Sequence, residues 1–166
     1  MPNTESIVLS GGCFWGVQEL IRQLPGVIKT EVGYCGGDAS RAKYKDVKTG
    51  STNHAESIEI IFDPKILPLE KLLLFFFQIH DPTTVNQQGN DVGTQYRSVI
   101  FYSDLNQKVT GEKIISQVNA SKAWKNLIVT QLIKLDQFHS AEFDHQDYLQ
   151  KNPGGYTCHY IRPIKF

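Results

Sequence analysis

Residues 27–62, VIKTEVGYCGGDASRAKYKDVKTGSTNHAESIEIIF, settle the architecture. The first part, 27–34, is a β-branched run stopped by Gly36-Gly37, and the last part, 56–62, alternates as a half-buried strand closed by Asp63-Pro64. Between them lies a polar stretch without periodicity, which reads as a loop holding at most short structure. Two strands therefore follow one another with no clear helix between. That order argues against a doubly wound parallel sheet and for a mixed sheet with helices packed on it.

The flanks agree. Upstream, 7–9 is a short strand ending in Ser-Gly-Gly, and from Cys13 a 3.6-residue period places Val17, Leu20, Ile21 and Leu24 on one face until Pro25-Gly26. Downstream, the pattern predicts a helix over 69–80, a long Gly- and Asn-rich loop, a strand over 98–102, a helix over 105–120 and a strand over 128–135. The remainder holds a short helical stretch within 141–150, then Asn-Pro-Gly-Gly and an aromatic coil. The fold class expected is α+β: a two-layer sandwich with a mixed, ferredoxin-like β-sheet core and a coil-rich C-terminal tail. Residues 1–166 read as a single domain, with 137–166 as a C-terminal extension.

Composition narrows the function classes. Apolar residues make up 40% and charged residues 20%, as in ordinary globular chains, and 17 basic residues balance 17 acidic ones. Without net charge or a basic run, electrostatic binding to nucleic acid or anionic lipid is not expected. The strongest apolar run, LLLFFF at 72–77, is far shorter than the roughly 20 residues of a bilayer span. The N-terminus has no basic region followed by an apolar core, so no signal peptide is expected and the location expected is cytoplasmic. Three cysteines, Cys13, Cys35 and Cys158, are too few for a disulfide scaffold and lack a Cys-x-x-Cys pair. Adjacent Cys158-His159 is poor spacing for two ligands of one zinc, so no metal is expected.

Residues 10–20, SGGCFWGVQEL, carry the chemistry. Cys13 stands at a helix start, where free N–H groups and the macrodipole favour a thiolate, the nucleophilic form. Gly11 and Gly12 allow a tight turn and leave space over the thiol. Trp15 projects toward the polar side of the helix, with Glu19 and Arg22, where it calls for a partner or a ligand. Local features leave two readings open: a packed, inert thiol in a strand-turn-helix corner, and a reactive one. In the strand over 56–62, Glu56 shares a face with Ile58 and Ile60, and burial there would raise its pKa and make it a proton donor. The alternative is a solvent-facing strand end. Tyr44 in one polar loop, and Asp91, Gln95, Tyr96 and Arg97 in the other, suit a fixed polar network; either tyrosine could also be a rim aromatic.

The motifs GCFWG at 12–16, GYCGG at 33–37, YKDV at 44–47, HAE at 54–56, HDPTT at 80–84, QGNDVGTQYRS at 88–98 and HQDYLQKNPGGY at 145–156 resemble the A-class peptide methionine sulfoxide reductases, in the family's order over nearly the whole chain. The resemblance implies that Cys13 attacks the sulfoxide sulfur while Glu56 provides a proton to the oxygen. It implies that Tyr44 and Tyr96 hydrogen-bond that oxygen, that Asp91 organises the polar network, and that Phe14 and Trp15 grip the S-methyl group. Methionine then leaves Cys13 as a sulfenic acid, and a second thiol condenses with it to a disulfide. The family acts on the S epimer, free or in proteins. It uses no bound cofactor; thioredoxin, or dithiothreitol in its place, reduces the disulfide.

Two positions depart from the family pattern. Lys48 stands where a cysteine is common, and Asn53 where a glycine is common, a turn that asparagine tolerates. The resolving thiol expected is Cys158, in Gly155-Tyr156-Thr157-Cys158, with Cys35 as competitor. A monomer is expected. The other function classes are a cysteine hydrolase or acyltransferase pairing Cys13 with His54 or His80, and a non-catalytic peptide-binding module.

Overall fold

The computed structural model of the chain describes residues 3–166. Strand β1 (Glu5–Gly11) leads into helix α1 (Phe14–Ile21), then β2 (Val27–Cys35), a 3-10 turn (Ala39–Arg41), the one-turn helix α2 (Tyr44–Val47) and β3 (Ala55–Phe62). Helix α3 (Leu69–Ile79) precedes a small hairpin, β4 (Gln87–Gln88) and β5 (Asp91–Val92), and a second 3-10 turn (Thr94–Tyr96). Strand β6 (Ser98–Tyr102), helix α4 (Leu105–Ser121), β7 (Gln131–Lys134), β8 (Phe138–Ser140), a third 3-10 turn (Phe143–His145) and α5 (Tyr148–Lys151) complete the order.

The fold is α+β with one mixed sheet in the order β7-β6-β1-β3-β2-β8. Neighbours run antiparallel except β6 and β7. Ile7 and Leu9 of β1 lie opposite Ile60 and Ile58 of β3, and this face packs on the apolar sides of α1, α3 and α4 in the main core. Val8, Cys35, Ala55, Val99 and Phe101 form a smaller cluster on the other face. A third cluster gathers Phe14, Val32, Tyr34, Val47 and Ala141, and the central strands divide their side chains between the two faces by parity.

The sheet is strongly curled, and chain connectivity requires it. Strands β7 and β8 occupy opposite edges, yet only residues 135–137 join them. Four Cα steps reach about 14 Å, whereas five inter-strand gaps at about 4.8 Å would separate the edges of a flat sheet by roughly 24 Å.

Three sequence expectations shift. Helix α1 ends at Ile21 rather than Leu24, whose N–H instead closes a turn onto the Ile21 carbonyl. Strand β7 starts at Gln131, because the Ile128 N–H bonds Asn119 Oδ1 and the Val129 N–H bonds the Pro82 carbonyl, which ties 128–130 to loops instead of to β6. Strand β8 was not expected. Residues 152–166 carry no regular element but are pinned back: His159 Nε2 lies 2.7 Å from the Gly11 carbonyl, and the Gln78 carbonyl accepts the Arg162 N–H at 3.1 Å.

Candidate active site

Cys13 is the N-cap of α1, entered through Gly12 at φ +96°. The strand-turn-helix corner sets its thiol at the floor of a cavity of about 250 Å³ lined by Cys13, Phe14, Trp15, Tyr44, Glu56, Asp91, Tyr96 and Tyr156. Seven of these eight are the residues singled out from sequence; Tyr156 is the addition. Glu56 projects from β3 on the face of Ile58 and Ile60, as its parity requires, and is buried. Its Oε1 accepts the Phe14 N–H at 3.2 Å, one of the donors that α1 leaves unpaired at its start.

Two loops bring in the remaining oxygens. Asp91 sits in the β4–β5 hairpin, which buried Gln88 clamps by bonding both the N–H (2.8 Å) and the carbonyl (2.9 Å) of Asp81. The turn bearing Tyr96 is stitched to the loop bearing Tyr44: Thr94 Oγ1 donates to the Gly50 carbonyl at 3.2 Å, and Gln95 Nε2 to the Lys48 carbonyl at 3.2 Å. Arg97, buried, donates to the Thr94 carbonyl at 2.9 Å and holds the turn from the other side.

The C-terminal segment supplies what sequence reading missed. Trp15 Nε1 donates to His145 Nδ1 at 3.0 Å, and the indole stacks on Tyr148 with ring centroids 3.8 Å apart. Asp147 holds that segment on α1, accepting from Arg22 at 2.6 Å and taking Gln18 Oε1 on its own N–H at 3.0 Å. The polar-side position of Trp15 is thereby explained. Gly16 has a matching reason: a Cβ there would lie 2.4 Å from Thr157 Oγ1 and 2.6 Å from His159 Nδ1, so the C-terminal stretch passes directly over α1. Likewise a Cβ on Gly12 would meet Gln88 at 2.6 Å, so the glycines admit neighbours rather than leaving open space over the thiol. The signal for these contacts lay in HQDYLQKNPGGY, but nothing in the string names its partners 130 residues away.

The three thiols divide. Tyr34 pairs with Glu56 across the β2–β3 ladder, so Tyr34 faces the Cys13 side and Cys35, opposite Ala55, faces the other. Cys35 lines a separate cavity of about 230 Å³ with Phe101, Lys134 and His139, its Sγ 3.4 Å from the Gln137 carbonyl. Cys158 is half-buried beside the Cys13 cavity, its Sγ 3.9 Å from Asp91 Oδ2. The histidines paired with Cys13 in the hydrolase reading are committed elsewhere. His54 accepts the Gly37 N–H at 3.1 Å and lies 2.7 Å from the Asp38 carbonyl; His80 lies between the Phe76 carbonyl (2.6 Å) and Ser98 Oγ (2.8 Å). Neither lines the cavity. Asn53, where a glycine is common, takes φ +65°, so the turn survives.

The site is electrostatically one-sided. Burial, then the neighbouring Glu56 charge, push the Cys13 thiol well up, and the Trp15 N–H offsets only part of this. The acidic thiol suggested by a helix start is thus overturned: desolvation outweighs an eight-residue helix's macrodipole. Burial raises Glu56 to about 8, against the Phe14 N–H, with Asp91 adding to the rise. Tyr44, Tyr96 and Asp91 are also raised, each first by burial. Every acid here disfavours a second negative charge, which favours keeping protons beside the thiol.

Residues 5–165 match the family model described as peptide methionine sulfoxide reductase. The chain belongs to the peptide methionine sulfoxide reductase family. It is 53% identical over 163 residues to the peptide methionine sulfoxide reductase MsrA of Mycolicibacterium paratuberculosis, covering 98% of this chain and 93% of that one. Among solved structures, reduced Mxr1 of Saccharomyces cerevisiae superposes with a TM-score of 0.91 at 39% identity, over 96% of this chain and 92% of that one. Mxr1 solved in complex with Trx2 matches with a TM-score of 0.65 at 25% identity, over 96% and 90%.

Proposed function

We propose that this chain, a peptide methionine sulfoxide reductase by family, reduces the S epimer of methionine sulfoxide, free or in proteins, with Cys13 as nucleophile. The observation that carries the reading is one cavity holding a thiol, a buried carboxyl and two tyrosine hydroxyls. Cys13 sulfur attacks the sulfoxide sulfur while Glu56 and the thiol proton serve the oxygen, with Tyr44 and Tyr96 as donors to it. The attack joins the two sulfurs; the S–O bond then breaks as its oxygen passes as hydroxyl to the Cys13 sulfur, and the sulfur–sulfur bond breaks with its electron pair leaving on methionine, so Cys13 ends as S–OH. Phe14 and Trp15 hold the methyl group, and Asp91 organises the hydroxyls. Glu56 at about 8 is protonated near neutral pH, which supports the acid role.

In the second step the Cys158 thiol displaces water from Cys13 S–OH, forming the disulfide. The Asp91 contact of Cys158 and the opposite facing of Cys35 support that choice. Thioredoxin supplies the two electrons that reopen the bond, a reading supported by the Trx2 complex of the yeast relative. No bound cofactor enters the scheme. The four central strands, in the succession β1-α1-β2-β3-α3-β6, are read as ferredoxin-like, within a single domain ending in the 137–166 extension. A cytoplasmic monomer remains the proposed setting; among the described residues no helix is long and apolar enough to cross a membrane.

Mixing reduced protein with methionine sulfoxide, without reductant, tests the scheme. The expected yield is about one equivalent of methionine with loss of two of the three thiols. No methionine and three intact thiols overturn it. In Cys158→Ser the methionine burst persists and no disulfide forms; a disulfide in that variant transfers the resolving role to Cys35.

A further inference from the structure

Glu142 is absent from the cavity lining, yet it binds Tyr44, which lines it, and Tyr34, which packs behind Phe14. Its Oε1 accepts the Tyr34 hydroxyl at 2.7 Å, and its Oε2 accepts the Tyr44 backbone N–H at 2.9 Å. Tyr34 is wholly buried, with its ring 5.7 Å from that of Phe14. Tyr44 opens the four-residue helix α2, whose N-cap Lys43 makes no side-chain cap bond. A single helical turn does not hold itself in water, and an uncapped start leaves N–H groups without partners. Glu142 supplies that missing cap from 98 residues away.

Glu142 is itself well anchored. On its N-terminal side the Ala141 N–H bonds the Val32 carbonyl at 2.9 Å. On its C-terminal side Gln146 brackets Val32, accepting its N–H and donating to its carbonyl, both at 2.9 Å. Glu142 is solvent-exposed; its slight desolvation would raise the carboxyl, but the Tyr34 hydroxyl and the Tyr44 N–H hold it below the usual carboxylate range. Charge-assisted bonds of this kind are roughly twice as strong as neutral ones.

We propose that Glu142 is a positioning residue for sulfoxide reduction, fixing the Tyr44 hydroxyl over the cavity. The inference rests on the assignment of Tyr44 to the sulfoxide oxygen. The test is the single-turnover rate of methionine release, without reductant, in the wild-type chain, Glu142→Ala, Glu142→Gln, Tyr44→Phe and Tyr44→Phe/Glu142→Ala.

Glu142→Ala is expected to slow release about tenfold. Glu142→Gln should stay within about threefold of wild type, because an amide can accept from the Tyr44 N–H and donate to the Tyr34 oxygen. Once Tyr44→Phe has removed the hydroxyl, adding Glu142→Ala should cost less than about threefold, the non-additivity expected of residues acting as a unit. Should Glu142→Ala not fold, Glu142→Asp replaces it, since a carboxylate one methylene shorter cannot span both partners.

A wild-type rate in Glu142→Ala overturns the inference, and so does an equal loss in both backgrounds or a Gln variant as slow as Ala. In those cases methionine release by wild type, slowed in Tyr44→Phe, leaves the proposed function standing. If Tyr44→Phe matches wild type, the Tyr44 assignment and this inference fall while the Cys13 chemistry stands. No methionine from wild type overturns all of it.

Discussion

Cys13 and Cys35 occupy opposite faces of one curled sheet, both buried, each beside a cavity of similar size, about 250 and 230 Å³. Burial raises both thiols, Cys35 to about 11 and Cys13 further. Thiol acidity in the resting protein therefore does not separate the reactive candidate from the inert one. The surroundings do. Cys35 points at a backbone carbonyl in a pocket edged by Lys134, Asp136 and His139, on the face of the sheet away from Glu56 and the tyrosine hydroxyls. Cys13 faces a protonated carboxyl and tyrosine hydroxyls. A leaving oxygen needs protons more than the thiol needs to have lost its own beforehand, and the thiol proton can be handed over during the reaction.

The largest effect expected follows directly. Cys13→Ser should abolish methionine release, whereas Cys35→Ala should leave the burst within about twofold and lower stability by about 1–2 kcal/mol in denaturant melts. Comparable losses of rate in the two variants would erase the distinction between the faces.

Next comes Glu56→Gln, expected to slow single-turnover release by about 10²- to 10³-fold, with a far smaller change in the sulfoxide concentration that half-saturates the burst. In wild type the same rate should fall as pH rises through about 8, where Glu56 gives up its proton. Stability carries the same signature. Glu56 moves from 4.5 to about 8 on folding, so the folded state binds the extra proton within that window. The stabilisation is full below about pH 4.5 and is lost as pH rises toward 8, and Glu56→Gln should flatten that decline in thermal melts.

The smallest effect concerns the C-terminal stretch that carries Cys158, the proposed resolving thiol. In Gly16→Ala the new methyl displaces Thr157 and His159, although alanine itself favours the helix by about 1 kcal/mol. Methionine release should change less than about threefold, while thiol loss, followed by quenched alkylation, becomes slower than release.

Much of this was legible in the chain. Period-2 alternation put Glu56 on the core face, and the turn glycines before Cys13 marked the corner that bears the thiol. Two strands in succession signalled the mixed sheet. What remained hidden was long-range. The Tyr34 hydroxyl that reaches Glu142, the Trp15 indole that reaches His145 and Tyr148, and the three-residue strand β8 all depend on a C-terminal segment with weak periodicity. Side chain partners chosen across 108 or 130 residues leave no local pattern to read. The raised pKa of the Cys13 thiol is hidden for a related reason: a helix start is visible in sequence, but the depth of burial around it is not.

The short crossing from β7 to β8 also bears on how the molecule behaves in a crowd. By drawing the chain over to the far side of β2, it leaves as outermost strands one of four residues and one of three. Long, flat outer strands invite other chains to pair with their unmet N–H and C=O groups. A sheet curled until its two margins are bridged by three residues offers such chains very little backbone to extend, and so resists assembly into larger β-structures.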